Sequence, residues 1–265
     1  ELGYRPNSIA QSLASNCSNS VGLLVSELQG PFYGPMMSGI ENIFRNQGKH
    51  LIIAAGHSDE EREKQGIEFL ISRNCDGLIL HVEAVSDEYL IKLSKGRIPF
   101  VLINRYISQL SDRCILLNNI KGGYLASKYV LEKGHKQIAY ISGPLWKQDA
   151  KDRLEGHKQA LAEFDVPFDE ELLYQGDFME SSGFEGLAAL HQHGKPFSAL
   201  ICANDEMAVG AMASARKLGL TLPKQLSIMG YDNVFFTRHV YPQLSTINYP
   251  IEEMGRMAAN WILNQ

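Results

Sequence analysis

The sequence lacks the short signatures that most often announce enzyme chemistry. Its 265 residues contain no Gly-x-Gly-x-x-Gly following a strand, no phosphate loop, no Gly-x-Ser-x-Gly and no His-Glu-x-x-His. Dinucleotide binding, nucleotide hydrolysis, serine acyl transfer and zinc hydrolysis therefore each lose their usual scaffold. No nucleophile stands beside a base, and His191-Gln192-His193 reads as the solvated end of a helix before Gly194 rather than a metal site. Cysteine is scarce: Cys17, Cys75, Cys114 and Cys202 are far apart and follow no Cys-x-x-Cys or Cys/His spacing. They read as reduced thiols of a cytoplasmic protein, with no metal and no cofactor implied. Positive charge is in deficit, with 25 Lys and Arg against 30 Asp and Glu for a formal net charge of -5. A chain without a basic surface should hold phosphates, and so DNA, weakly on its own. No apolar run approaches the roughly 18 residues of a membrane span, and no secretory leader is visible.

What is present is a regular alternation, carried by a chain that is 45% hydrophobic. Apolar runs at Val21–Val25, Leu51–Ala55, Gly77–His81 and Phe100–Ile103 are separated by amphipathic segments at Met36–Gln47, Asp59–Arg73 and Ser86–Leu93. A second series has helices at Ile120–Glu132, Ala150–Phe164, Glu180–His193 and Glu206–Leu218, with strands at Ile138–Ser142, Ala199–Ala203 and Leu226–Gly230. Short runs of Val, Ile and Leu between longer helical segments indicate buried parallel strands in βαβ units, so the fold class is α/β. The pattern runs twice with a break near Leu117-Asn118-Asn119, which predicts two doubly wound lobes; an eight-stranded barrel is the rival. Ser245–Pro250 and the helix Ile251–Leu263 read as a return to the first lobe. The lobes are then 20–117 plus 248–265, and 118–247. In open parallel sheets ligands bind beyond the carboxyl ends of strands, and two such lobes would frame a ligand cleft.

Polar and aromatic residues stand at nearly every strand end. They include Phe32 and Tyr33 after the first strand, Asn104 after the fourth, Asp149 and Arg153 after Ile138–Ser142, Phe178, Asn204 and Asp232. Carboxylates, amides and a guanidinium offer directional hydrogen bonds to hydroxyls, and aromatic planes cover an apolar C–H face, which together suit a sugar. Each also has a structural reading. Asp149 and Arg153 form an acid-first i,i+4 pair, Asn204 can cap the following helix, and Asp232 can end a strand in an Asx-turn.

The first twenty residues are of another kind. Gly3-Tyr4-Arg5-Pro6-Asn7 leads into Ser8–Ala14, about two helical turns that Asn7 can cap. So short a helix is marginal alone, below the roughly 12 residues an isolated helix needs. Together with Ser20-Val21-Gly22-Leu23 this stretch resembles the hinge of LacI/GalR-family transcription regulators, which joins a helix-turn-helix head to a sugar-binding core. The resemblance extends over essentially the whole chain. It implies a periplasmic-binding-protein-like fold and a hinge over 1–19 in which Asn7 caps the helix and Leu13 wedges between base pairs of operator DNA. Asp152-Arg153-Leu154-Glu155-Gly156 is similar to the family's Arg-Leu-x-Gly segment, whose arginine holds ligand. Ala203-Asn204-Asp205-Glu206-Met207-Ala208 is similar to its Asn-Asp-x-Met-Ala segment, which implies Asn204 as a contact. Gly230-Tyr231-Asp232-Asn233 is similar to its Gly-Tyr/Phe-Asp-Asp segment, with Asn233 for the second Asp and Asp232 as the implied hydroxyl acceptor. Phe178 aligns with a stacking aromatic, and Phe32-Tyr33 with a Pro-Phe-Phe segment. Leu102-Ile103-Asn104-Arg105 and Gln148–Leu154 look most like the galactose- and β-glucoside-repressor branch, which adds Asn104 and Asp149. Asn118-Asn119 departs from the usual Asp-Asn at the crossover.

The resemblance thus implies a sugar-responsive repressor's effector-binding and dimerisation core, without catalytic residues. Its partners would be a hexose or glycoside, operator DNA in a full-length protein whose reading head lies upstream, and a second copy of the chain through Glu206–Lys217, Phe235, Phe236, Val240 and Tyr241. Because the sequence starts without Met inside a motif and no final strand of the family type follows, both termini are expected to be trimmed. Two alternatives stay open: a periplasmic-type sugar-binding protein serving a transporter, and a purine- or nucleoside-sensing regulator of the same fold.

Overall fold

The computed structural model describes residues 18–265. The hinge reading, with Asn7 and Leu13, falls outside the described residues. The chain divides into two units, Glu1–Leu117 with Pro250–Gln265, and Asn118–Tyr249.

The first unit is built from β1 (Ser20–Val25), α1 (Tyr33–Asn46), β2 (His50–Ala55), α2 (Glu60–Ser72), β3 (Gly77–Leu80), α3 (Asp87–Leu93), β4 (Phe100–Ile103) and the two-residue β5 (Cys114–Ile115). The second has α4 (Asn119–Glu132), β6 (Ile138–Ser142), α5 (Gln148–Glu163), β7 (Leu173–Gln175), α6 (Glu180–Gln192), β8 (Ala199–Cys202), α7 (Asp205–Lys217), β9 (Ser227–Asp232) and β10 (Ser245–Asn248). After it α8 (Ile251–Leu263) rejoins the first unit. All described pairings are parallel, in the orders β2-β1-β3-β4-β5 and β10-β9-β8-β6-β7. Read from its own first strand, each sheet follows the same 2-1-3-4-5 winding, which excludes the barrel and explains why the alternation runs twice. β3, β4, β6 and β8 are buried throughout, because helices cover both faces of a parallel sheet. Ser245–Asn248, read from sequence as the start of the return, is instead the edge strand beside β9, and the chain rejoins unit 1 only at Pro250.

Helix starts follow local chemistry. The side chains of Asp59, Ser86, Asn118 and Asn204 accept hydrogen bonds from the backbone N–H of Arg62, Tyr89, Lys121 and Met207, the interaction that makes such residues N-caps. α4 ends where Gly134 turns with φ +92°. Glycine also sets how α4 and α5 cross. A Cβ on Gly123 would overlap the Arg153 carbonyl, and one on Gly156 would overlap the Ile120 carbonyl and the Tyr124 amide. The two helices therefore meet backbone to backbone, and that contact fixes the height and rotation of α5. No helix among the described residues is long and apolar enough to cross a membrane.

Candidate functional site

The repeated winding locates a switch point in each sheet, between β1 and β3 and between β6 and β8, where ligands of doubly wound folds bind beyond the carboxyl ends. In unit 2 this edge is occupied by Arg153, projecting from α5. Its side chain is 3% exposed, and a charge so buried needs partners. Nε donates to Asn119 Oδ1 at 3.0 Å and Nη1 to the Ala203 carbonyl at 2.6 Å. Asp232 lies 3.6 Å from Nη1 and Asp149 3.8 Å from Nη2. The guanidinium sits 4.0 Å from the Tyr231 ring centroid and 5.7 Å from those of Phe178 and Tyr249. The cation is thus held in an aromatic cage with two acids beside it.

Electrostatics follow from burial. Burial pushes the Asp232 carboxyl well above the carboxylate range against the pull of Arg153, while Asp205 and Asp149 push it further. Its Oδ1 has no hydrogen-bond partner among the described residues. Burial by itself would lower the Arg153 pKa, but Asp232 and Asp149 more than offset it, so the guanidinium stays charged. Asp232, Asn233 and Phe178 have φ of +114°, +60° and +73°. Non-glycine residues held in this region cost about 1–3 kcal/mol each and gather at functional sites.

Five sequence candidates, Asp149, Arg153, Phe178, Asn204 and Asp232, come together on this edge. Asn204 is chiefly a fastener: its Oδ1 caps α7 at Met207 N, and Nδ2 donates to the Phe178 carbonyl, holding that ring's loop. Sequence reasoning gave no role to Asn119, Tyr231, Tyr249 or Asp205, although Asp205 and Tyr231 stand at strand ends beside the candidates Asn204 and Asp232. Asn119 and Tyr231 stood inside quoted motifs, but no pattern told core from site. Asp205 is fully buried, accepts from Thr246 Oγ1 at 2.6 Å and Val234 N at 2.9 Å, and so ties β10 and the loop after β9 to α7. Burial pushes its carboxyl up to about 6.

Phe32, Tyr33 and Asn104 lie in unit 1, at the carboxyl edge of its sheet. Phe32 and Tyr33 meet edge to face at 5.1 Å, and Tyr33 meets buried His81 in the same way at 5.3 Å. His81 Nδ1 is 3.2 Å from Ser26 Oγ. Asn104 follows β4 with φ +61° and its N–H donates to the Ile115 carbonyl. Ser26 and His81 had no sequence signal beyond their positions just past β1 and β3. In unit 2, Phe235 and Tyr241 are 67% and 86% exposed, large apolar surface for a chain to leave in water, whereas Phe236 and Val240 are half-buried.

Comparison with known proteins adds a name to this arrangement. A family model described as periplasmic binding proteins and sugar binding domain of the LacI family matches residues 18–265. The HTH-type transcriptional regulator GalR of Salmonella typhimurium is 37% identical over 262 residues, covering 99% of this chain and 77% of that protein. The HTH-type transcriptional repressor PurR of Photorhabdus laumondii is 34% identical over 268 residues, covering 100% and 78%. Among solved structures, a LacI-family transcriptional regulator from Burkholderia phymatum superposes with a TM-score of 0.87 at 31% identity, covering 93% of this chain and 91% of that one. All three are regulators of transcription rather than enzymes.

Proposed function

Since this chain belongs to the LacI family, we propose that it is the effector-binding and dimerisation core of a sugar-responsive repressor that works on DNA in the cytoplasm. The observation that carries the reading is the Arg153 cluster: a caged cation, the Asp232 Oδ1 that is ion-paired to it but accepts no hydrogen bond among the described residues, and aromatic planes, all at a switch-point edge. A hexose or glycoside would give hydroxyl hydrogens to Asp232 and Asp149, accept from Arg153, and lay its C–H face on Phe178. Phe32, Tyr33 and Asn104 are the corresponding candidates of unit 1. Homodimerisation through α7 and the exposed Phe235 and Tyr241 would bring two copies of the hinge together. Effector and operator are then linked, and each weakens the other's binding by the same factor.

A second reading, a purine- or nucleoside-sensing repressor, is favoured by the likeness to PurR and by the three aromatic rings around Arg153. A thermal-shift screen against galactose, β-glucosides, ribose and purines separates the two. A specific ligand at 100 times its Kd is expected to stabilise the fold by about 2.7 kcal/mol. Stabilisation by purines alone would replace the sugar reading. For the hinge, Leu13→Ala in the full-length protein is expected to reduce operator affinity and DNA bending; unchanged bending in a gel-shift phasing assay would remove Leu13 from the DNA interface.

A further inference from the structure

β6 ends on a buried hydroxyl that the rest of the fold leaves unused. Ser142, its last residue, is 0% exposed, and its Oγ makes no hydrogen bond among the described residues. Its carbonyl, by contrast, accepts from Gly176 N at 2.8 Å. Two other buried serines of unit 2 are paired: Ser127 Oγ donates to the Gly123 carbonyl at 2.9 Å, and Ser182 Oγ to the Met179 carbonyl at 3.0 Å. A buried hydroxyl left unpaired costs free energy, and alanine would fill the same space without that cost. The Ser142 hydroxyl therefore calls for a partner that the chain does not supply.

Strand and helix spacing put this hydroxyl level with Arg153. Side chains alternate along β6: Ile141 lies against Gly186 of α6, whereas Tyr140 stacks on His157 of α5 at 4.7 Å between ring centroids. Ser142 shares the Tyr140 face and stands about 6.6 Å beyond it, toward the carboxyl edge. α5 runs back along the sheet, so Arg153, four residues before His157, lies about 6 Å further in the same direction. Helical side chains lean toward the helix N-terminus, which carries the guanidinium past Ser142 to the edge. On the next residue, a Cβ on Gly143 would overlap the Phe178 ring, whose centroid is 5.7 Å from the guanidinium. Ser142 is thus bracketed by Arg153 and Phe178. Arg153 and Asp232 are themselves almost as enclosed, with side chains 3% and 8% exposed, so a ligand that reaches them reaches the depth of Ser142.

We propose that Ser142 is a further effector contact, whose Oγ donates a hydrogen bond to one hydroxyl oxygen of the bound sugar. The inference rests on the sugar reading of the Arg153 cluster. Arg153 offers a delocalised charge and several donors to any oxygen nearby. A single neutral hydroxyl is more selective, because it rewards one orientation of one ligand hydroxyl, and Ser142 is therefore a specificity-determining residue.

Calorimetry on the whole chain tests this with whichever of galactose, methyl β-glucoside and ribose binds the wild type most tightly. Ser142→Ala is expected to weaken that sugar about tenfold. Without ligand the same variant is expected to melt at or above the wild-type temperature, since it loses only an unpaired hydroxyl. Ser127→Ala, which loses a paired one, is expected to melt lower. The contact itself is read by changing protein and ligand together: one monodeoxy derivative of the sugar should bind wild type and Ser142→Ala equally, while the others keep the difference. The proposal is overturned, with the sugar reading intact, if Ser142→Ala binds within about twofold of wild type, or if every monodeoxy derivative keeps the full difference. It is also overturned if unliganded Ser142→Ala melts lower or fails to fold, which would make the hydroxyl structural. If no sugar binds the wild type, the sugar reading itself fails and this contact falls with it.

Discussion

Arg153→Met is expected to give a folded protein that no longer responds to its effector, whichever molecule the ligand screen selects. Methionine keeps most of the buried stem and removes the guanidinium, so the bonds to Asn119 and Ala203 and the pairing with Asp232 and Asp149 vanish together. Truncating one partner of a buried charge pair costs about 2–5 kcal/mol, which puts the loss of effector affinity at about 30-fold or more by calorimetry. Stability should fall as well, by about 3 kcal/mol at neutral pH, because an acid is left buried without its cation. That loss has a definite pH dependence. Burial already raises the Asp232 carboxyl and Arg153 opposes the shift, so removing Arg153 raises it further. The folded variant then keeps a proton that the unfolded chain releases, and stability falls as pH rises through the Asp232 titration and returns on acidification. Urea melts of Arg153→Met at acidic and neutral pH check the sign; a variant no less stable at neutral pH than in acid would mean Asp232 is not the group left exposed to the change.

The second large effect is expected at a position with no side chain. Gly156→Val places two methyls where α4 and α5 touch, against the Ile120 carbonyl and the Tyr124 amide. Neither neighbour is a flexible side-chain end, so the helices must separate. A loss of about 3 kcal/mol or more is expected in chemical denaturation, within the range of overpacked interiors. Gly34→Ala in α1 is the control: nothing lies within 4 Å of the added carbon, and helix propensity predicts a gain of up to about 1 kcal/mol. Equal behaviour of the two variants would show that the helix crossing is not a tight contact.

Much of the fold was legible because buried parallel strands cannot avoid being apolar. Phe100–Ile103 and Ile251–Leu263 were read with the boundaries the structure has, and Ile138–Ser142 likewise. Edge strands were harder. Cys114–Ile115 and Leu173–Gln175 are too short to show a period, and Ser245–Asn248, with polar residues at both ends, looked like a connection. The site divides in the same way. Arg153, Asp232 and Phe178 were flagged because charged and aromatic residues at strand ends are out of place in a core, and the family resemblance sharpened them. Tyr231 stands at a strand end beside Asp232, but it and Tyr249 are both buried, and no pattern separates such residues from core. Their relation to Arg153 comes from strand register and the helix crossing, neither of which has a sequence signature. Asn119 was noticed only as a departure at the crossover, not as the acceptor for Arg153 Nε.

The glycine contact between α4 and α5 has a further consequence for how such a receptor changes its tastes. Gly123 rests against the carbonyl of Arg153 itself, so the cation's location is dictated by main chain and cannot drift as nearby side chains are exchanged. Trp146 and Met179, on loops beside α5 and α6, are more than half exposed and free to vary without disturbing that anchor. Retuning towards a new molecule would then proceed by swapping the outer loops around an immovable charge.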